Sequence, residues 1–535
     1  MALSETSFDL AGAAAVVETM AAVANSGARA LATAGGVDRD QVVAYDLAHA
    51  GAAVEIARTM LGYAQYGTDE AAFTCAFVAD AAYELATKVF GREAAWDVDA
   101  GVFDGARDFI SRYRDPAFVA SLASLDPSRH LDDDHELLRQ TFRSFSDKLI
   151  APHAEHVHRT NGDVPEEIIA GLGELGAFGL ACPVEYGGAS EGGAEYLAMV
   201  VATEELSRGS LGIGGSLITR PEILTRALLR GGTEEQKHRF LPTLATGEIM
   251  AAVAVTEPDY GSDVANIKVT ATRVDGTTWA VNGTKTWSTF AARADVLMVI
   301  ARTDPDRSLA HRGLSIFVVP KPRCDGHGFV LTQPTGGRLT GRPIDTIGYR
   351  GMHSYELSFE DWRVDHANLI GEDGGIGRGF YYQMEGFENG RIQTAARALG
   401  VMQAAYEAAR EYSAGRIVFA KPISDYQLTQ VKLARMAFLI QACRQFTYEV
   451  AARMSAGGGA MEASMVKAYV CKAAEWVARE ALQIHGGYGY AEEYAVSRLY
   501  VDARVLSIFE GADETLCVRI IAKKLVEQAK AGAVS

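Results

Sequence analysis

Ser507-Ile508-Phe509-Glu510-Gly511 sets one carboxylate between apolar residues and a glycine, directly after a run with helical periodicity. A Glu buried or half-buried there is a candidate general base, because desolvation raises a carboxyl pKa toward working pH. Alone, the stretch is a weak signal. It decides the fold because four segments upstream of it, in a fixed order, read as parts of the same apparatus.

Working back from it, Gln483-Ile484-His485-Gly486-Gly487 brings a helical pattern to a sharp stop. Ile392, Ala395, Ala396, Leu399, Met402 and Tyr406 fall on one apolar helix face, so the chain is helical from 375 onward. Before that the period changes. Residues 268–282 are rich in Thr, Val and Trp around a turn at Asp275-Gly276, and 296–300, 314–319 and 356–364 are further strand candidates. Residues 136–245 read as helices with glycine joints at Gly187-Gly188 and Gly214-Gly215.

Residues 1–122 are Ala-rich and helical in pattern. Val43, Leu47, Ala50, Val54, Ala57 and Leu61 line one face. Gly67-Thr68-Asp69-Glu70 supplies a stop and an N-cap, and a second helix with Phe73, Phe77 and Leu85 closes near Gly91. Short loops between such helices predict an antiparallel bundle. Asp126-Pro127-Ser128 marks a boundary. The run Asp132, Asp133, Asp134 reads as a solvated helix start favoured by the dipole rather than as a metal site. The predicted fold class is α+β and mostly α. Its parts are a helical extension (1–125), an α domain (134–250), a β domain (251–370) and a C-terminal helical bundle (371–535). Glu70-Ala71, Ala76-Phe77-Val78 and Ala81-Ala82 align at constant offset with Glu462-Ala463, Ala468-Tyr469-Val470 and Ala473-Ala474. Either the extension is a degenerate copy of the C-terminal bundle, or two Ala-rich amphipathic helices are alike by chance.

The 535 residues, 48% hydrophobic and 22% charged, have the composition of a soluble globular protein. A formal net charge of −17 argues against non-specific nucleic-acid binding, which depends on phosphate neutralisation by Lys and Arg. An anionic substrate would need a locally positive entry. Six cysteines (Cys75, Cys182, Cys324, Cys443, Cys471, Cys517) form no CxxC pair and fit neither a zinc site nor a disulfide scaffold, so buried free thiols and no metal are expected. The N-terminus lacks a basic region followed by an apolar core, and no apolar run approaches the ~20 residues that span a bilayer. A cytoplasmic protein without a membrane span is expected.

Val255-Thr256-Glu257-Pro258 followed by Gly261-Ser262-Asp263 is a polar turn opening the β region, and its N–H groups can cradle phosphates or hydrogen-bond a planar ring. Trp287-Ser288-Thr289 puts an indole face beside hydroxyls, which suits packing on a flat cofactor. These two segments resemble the flavin-binding signatures of the acyl-CoA dehydrogenase family. Arg416, Phe419, Lys421, Pro422 and Gln427 resemble its RxxFGxPIxxxQ stretch, and Gln483 with Gly486 and Gly487 its QxxGG stretch. Phe387 and Arg391 resemble its substrate-contacting helix, and Phe509-Glu510-Gly511 its catalytic segment. The likeness covers about 135–530.

The resemblance implies two helical domains flanking a β-barrel-like domain, FAD as cofactor, and α,β-dehydrogenation of an acyl-CoA thioester. Glu510 would remove the α-proton while a hydride leaves the β-carbon for flavin N5. A flavin ribityl hydroxyl and the backbone N–H of the Glu would hold the thioester oxygen. The family's alternative base position is Gly390 here, which leaves Glu510. Val255, Thr256 and Thr289 would meet the flavin ring, Trp287 would pack on it, and Ser262 would lie near the FAD diphosphate and the substrate. Arg416, Phe419, Gln427, Gln483, Gly486 and Gly487 would serve the adenosine side of a neighbouring subunit's FAD, which implies at least a dimer. Phe387, Glu388, Arg391 and Gly511 would contact substrate. Two departures stand out: Ala420 replaces the usual glycine, and Ala512 replaces a frequent hydroxyl residue.

The N-terminal extension, with Thr219-Arg220-Pro221-Glu222, resembles the methylsuccinyl-CoA dehydrogenases, the subgroup that makes mesaconyl-CoA. Such a substrate carries a distal carboxylate, and Arg220 with Thr219 would pair it. The alternative is that Arg220 pairs Glu222 or caps a helix. Gly214-Gly215 either opens space for a methyl branch or only bends the chain. The implied electron acceptor is an electron-transferring flavoprotein. A different short- or branched-chain specificity, or an oxidase using O₂, stays open at this level. A non-catalytic binding or assembly relative has no need of Glu510. A homodimer is favoured over a tetramer because the extension would cover a pairing surface.

Overall fold

A computed structural model describes residues 8–191, 195–325 and 327–532, apart from the Glu385 side chain. The chain divides into two compact units, Leu137–Gln393 and a second made of Met1–Glu136 with Thr394–Ser535.

The second unit is mainly helical. Its N-terminal helices are Leu10–Ala34, Gln41–Tyr63 and Thr68–Val89. Asp9 and Asp40 cap the first two by accepting the backbone N–H groups of Gly12 and Val43 at 2.7 and 3.0 Å. The C-terminal helices are Gln427–Ser455, Ala460–His485 and Ala495–Leu506, together with the later part of the long Gly379–Gly415 helix. The extension is packed on them. Gln441 Nε2 donates to the Tyr63 hydroxyl and the Ser128 carbonyl, each at 2.7 Å. Arg435 pairs Asp80 at 2.9 Å and Glu84 at 3.1 Å. Phe77 and Tyr469, equivalent positions in the repeat reading, meet edge to face at 6.5 Å. The Leu10–Ala34 helix is long and apolar enough to cross a membrane by length and composition, which corrects the expectation that no segment qualifies. Val17, Met20 and Val23 are fully buried, so this helix fills the unit's interior. Five of the six cysteines are buried and all are free thiols.

In the first unit, helices over 137–246 precede an eight-stranded mixed sheet. The Thr270–Arg273 and Thr278–Thr289 strands pair antiparallel across the Asp275-Gly276 turn, and Ser354–Asp365 joins the second of them. Val296–Arg302 runs parallel to Ala251–Ala254 and antiparallel to Leu314–Pro320. Its apolar run is continuous because both faces are covered. Leu297 and Val299 enter one core cluster, and Val296, Met298 and Ile300 enter another. The strands Phe329–Thr332 and Arg338–Ile344 complete the far edge.

Candidate active site

Two of the flavin-signature segments meet in the sheet. Thr286 N–H donates to the Thr256 carbonyl at 2.9 Å, and Lys285 Nζ donates to the Val255 carbonyl at 2.8 Å. Lys285 also donates to Glu257 Oε1 at 2.9 Å. Glu257 accepts the backbone N–H groups of Lys268 and Val269 at 2.6 and 2.8 Å, so one carboxylate fixes the strand end that carries Thr256. Burial pushes the Lys285 ammonium down to about 8 against the pull of Glu257. This pair was not foreseen. The available signal was a lysine within a strand that otherwise turns Trp279 and Val281 inward.

Between Lys285 and Ser288 the register slips by one residue against Leu357 and Tyr355, a β-bulge. Trp287 sits in it with φ 58° and its indole 55% exposed. A bulge that turns a large apolar side chain outward at this cost is the arrangement a flat cofactor would cover. The Thr289 hydroxyl is buried and shares a hydrogen bond of 3.1 Å with Ser354. Thr256 is half-buried, Val255 buried, and Ser262 exposed on the turn.

In the same unit, Thr219 and Arg220 open the buried Thr219–Gly231 helix. The Thr219 hydroxyl donates to the Ser216 carbonyl at 2.9 Å. An Arg220 NH₂ group donates to the Tyr349 hydroxyl at 3.3 Å, and Glu222 pairs Arg226 at 3.5 Å. The guanidinium is 7% exposed. The helix that carries Phe387, Glu388 and Arg391 lies alongside: a Cβ on Gly231 would come within 2.5 Å of the Tyr382 ring. Phe387 and Glu388 are half-buried and Arg391 is buried. Gly214 and Gly215 open no space. Added Cβ atoms would stand 2.5 Å from the Leu206 carbonyl and 1.7 Å from the Ser207 hydroxyl, so these glycines permit backbone close approach.

In the mainly helical unit, a cavity of about 520 Å³ is lined by Tyr412, Arg416, His485, Gly486, Gly487 and Tyr488 among others. Nothing lies within 4 Å of a Cβ built on Gly486 or Gly487, so a ligand can approach that backbone. Tyr412 stacks on His485 at 4.2 Å, and the Arg416 guanidinium lies 5.8 Å from the Tyr488 ring centre. Gln427 and Gln483 are exposed. Phe419 and Ala420 form the two-residue turn of a short hairpin, both at positive φ (47° and 68°). Phe419 is 92% exposed and Tyr490 88%.

Glu510 follows the Ala495–Leu506 helix. It is half-buried with φ 54°, and Gly511 follows at φ 101°. Left-handed backbone is costly for Glu and natural for Gly. The Gly511 carbonyl accepts a hydrogen bond from Lys467 Nζ. The Arg397 guanidinium lies 4.8 Å from the Phe509 ring centre, and the Ser507 hydroxyl donates to Glu475. Burial lowers the Lys467 ammonium's pKa, while Asp513 and Glu510 are among the charges that oppose the shift.

Family models match most of the chain: "Acyl-CoA dehydrogenase, N-terminal domain" over residues 132–248, "middle domain" over 252–362 and "C-terminal domain" over 377–526. The (2S)-methylsuccinyl-CoA dehydrogenase of Cereibacter sphaeroides is 42% identical over 435 residues, 79% of this chain and 77% of that protein. Among solved structures, butyryl-CoA dehydrogenase from Megasphaera elsdenii gives a TM-score of 0.65 at 31% identity, over 77% of this chain and all of its own. A glutaryl-CoA dehydrogenase from Mycobacterium smegmatis in complex with FADH2 gives 0.65 at 28% identity, over 76% of this chain and 97% of that one.

Proposed function

This chain belongs to the acyl-CoA dehydrogenase family, whose cofactor is FAD, and on that footing we propose that it oxidises (2S)-methylsuccinyl-CoA to mesaconyl-CoA. The observation that carries the choice of substrate is Arg220. It is a guanidinium 7% exposed at the start of a buried helix, donating to the Tyr349 hydroxyl at 3.3 Å. A desolvated cation beside a hydroxyl donor matches a distal carboxylate in charge and geometry. The 42% identity to the C. sphaeroides enzyme supports the same reading.

Glu510 is the base that takes the α-proton. Its backbone N–H is one donor to the thioester oxygen, where enolate charge develops. Docking of the acyl chain would exclude water from around the carboxylate, so that solvent does not compete for the proton. Val255, Thr256, Ser262, Trp287 and Thr289 hold the flavin end of FAD. Arg416, Phe419, Gln427, Gln483, Gly486 and Gly487 hold the adenosine end of a partner copy's cofactor. FAD, when bound, accepts the hydride that leaves the β-carbon. Phe387, Glu388, Arg391 and Gly511 are each assigned to substrate contact by their match to the family's motifs. The exposed Phe419 and Tyr490 give a homodimer an apolar contact, and an electron-transferring flavoprotein takes the electrons onward.

Anaerobic flavin bleaching with a panel of CoA thioesters tests this. Methylsuccinyl-CoA is expected to bleach fastest. Arg220→Met is expected to lose about 100-fold more rate on it than on a neutral branched thioester of equal length, since a buried carboxylate would then lack its cation. Equal losses on the two substrates would refute the assignment.

A further inference from the structure

Building on the assignment of Glu510 as the base, we propose that Tyr45 and His49 of the N-terminal extension are positioning residues for catalysis: they grip Asp513 and thereby set the turn that presents Glu510. The premise is the turn itself. Two successive left-handed residues, one of them a glutamate, persist only where surrounding contacts over-determine them. Those contacts lie at both ends of the loop. Upstream stand Ser507 with Glu475 and Phe509 with Arg397. Downstream, Asp513 N–H closes the loop on the Ser507 carbonyl at 3.1 Å, and Lys467 holds the Gly511 carbonyl.

Asp513 is the hinge pin of this arrangement, and its side chain is secured from the extension. Tyr45 and His49 stand at i and i+4 on the Gln41–Tyr63 helix, with rings 4.9 Å apart, so both point from one face. The Tyr45 hydroxyl donates to one Asp513 oxygen, and His49 Nε2 lies 3.5 Å from the other. Lys472 donates to the Tyr45 hydroxyl, and its ammonium is 3.6 Å from the carboxylate. Cys517 Sγ lies 3.5 Å from His49 and 3.6 Å from Asp513. Burial raises the Asp513 pKa, but His49, Tyr45 and Lys472 outweigh it and hold it near about 2, so the carboxylate stays ionised. The three-atom cluster of His49, Asp513 and Cys517 would also suit a divalent cation by spacing. The neighbouring ammonium and the tyrosine donor already compensate the carboxylate, which favours a hydrogen-bonded clamp. Through it, residues remote in sequence act on the base.

The test uses the full-length holoenzyme and the variants Tyr45→Phe, His49→Gln and Asp513→Asn, with Glu510→Gln in parallel. Flavin content is expected to be unchanged and KM to stay within about twofold. The anaerobic bleaching rate is expected to fall about 10- to 100-fold, the scale of an ångström-level misplacement of a reacting group. The α-deuterium isotope effect on bleaching should rise, because proton abstraction becomes more limiting; loss of folding alone would not raise it. Tyr45→Phe removes a single oxygen and keeps the test open if Asp513→Asn fails to fold. A wild-type rate and isotope effect in all three variants, with Glu510→Gln inactive, overturns the clamp. An active Glu510→Gln overturns the assignment of the base instead. One equivalent of zinc per chain by elemental analysis would replace the clamp by a metal site.

Discussion

Replacing Glu257 by alanine probes the joint between the two segments proposed to hold the flavin. Its carboxylate is 5% exposed and takes three bonds: two backbone N–H groups at 2.6 and 2.8 Å, and the Lys285 ammonium at 2.9 Å. Each buried donor left without a partner costs about 1–3 kcal/mol. Breaking a buried ion pair from one side costs about 3–5 kcal/mol. The three bonds end on one group, so the terms overlap, and a loss of about 4–6 kcal/mol is expected. That is a large part of the ~5–15 kcal/mol that stabilises a folded domain. It corresponds to roughly 10–20 °C in Tm for a unit of this size. Thermal unfolding followed by circular dichroism, with flavin fluorescence as a second signal, reads it out. Thr256 lies between the two residues that Lys285 holds, so flavin release should precede or accompany unfolding. Adding Lys285→Met to Glu257→Ala should recover part of the loss, because the stranded ammonium goes. A melting point within about 2 °C of wild type, with full flavin loading, would refute the reasoning.

Glu510→Gln should nearly abolish turnover while FAD loading survives, as measured by absorbance ratio and steady-state rate. Ala420→Gly should stabilise the chain by about 1 kcal/mol in urea unfolding, because the hairpin turn holds Ala420 at φ 68°, where glycine carries no Cβ penalty. Lys285 gives a pH signature. Its folded pKa is lowered to about 8 from an ordinary 10.5, so both states bind the proton below pH 8 and its contribution there is flat. Between these values only the unfolded chain holds the proton, so stability should rise with pH in wild type relative to Lys285→Met.

Much of this was written locally. The Gln41–Tyr63 helix follows from Val43, Leu47 and Val54, and the Asp275-Gly276 turn from its place within a stretch rich in Thr, Val and Trp. The Ala251–Ala254 strand escaped because alanine carries little β preference. Arg338–Ile344 escaped because Gly341 and Pro343 interrupt its alternation. The Leu10–Ala34 segment was legible as helix but not as one of span-like composition, because Asn25, Ser26 and Arg29 break its apolar run while its average stays high. The motif positions were legible as residue types at set spacings. Their supports were not. Tyr45 and Asp513 are 468 positions apart, and Glu257 and Lys285 meet only once a parallel strand and a bulged one are in register. Pattern rules reach a turn or a helix face, whereas these contacts exist only after tertiary assembly.

The mainly helical unit is assembled from both ends of the chain, with residues 137–393 between its two parts. A ribosome delivers the first part long before the second. At roughly 5–20 residues per second, the gap of about 260 residues lasts on the order of 10–50 s. Throughout that interval the faces of Leu10–Ala34 and Gln41–Tyr63 destined for the interior lack their later partners. Expression of this protein should therefore depend on chaperone supply more than its size alone would suggest, and truncation before residue 394 should yield aggregates rather than a folded helical extension.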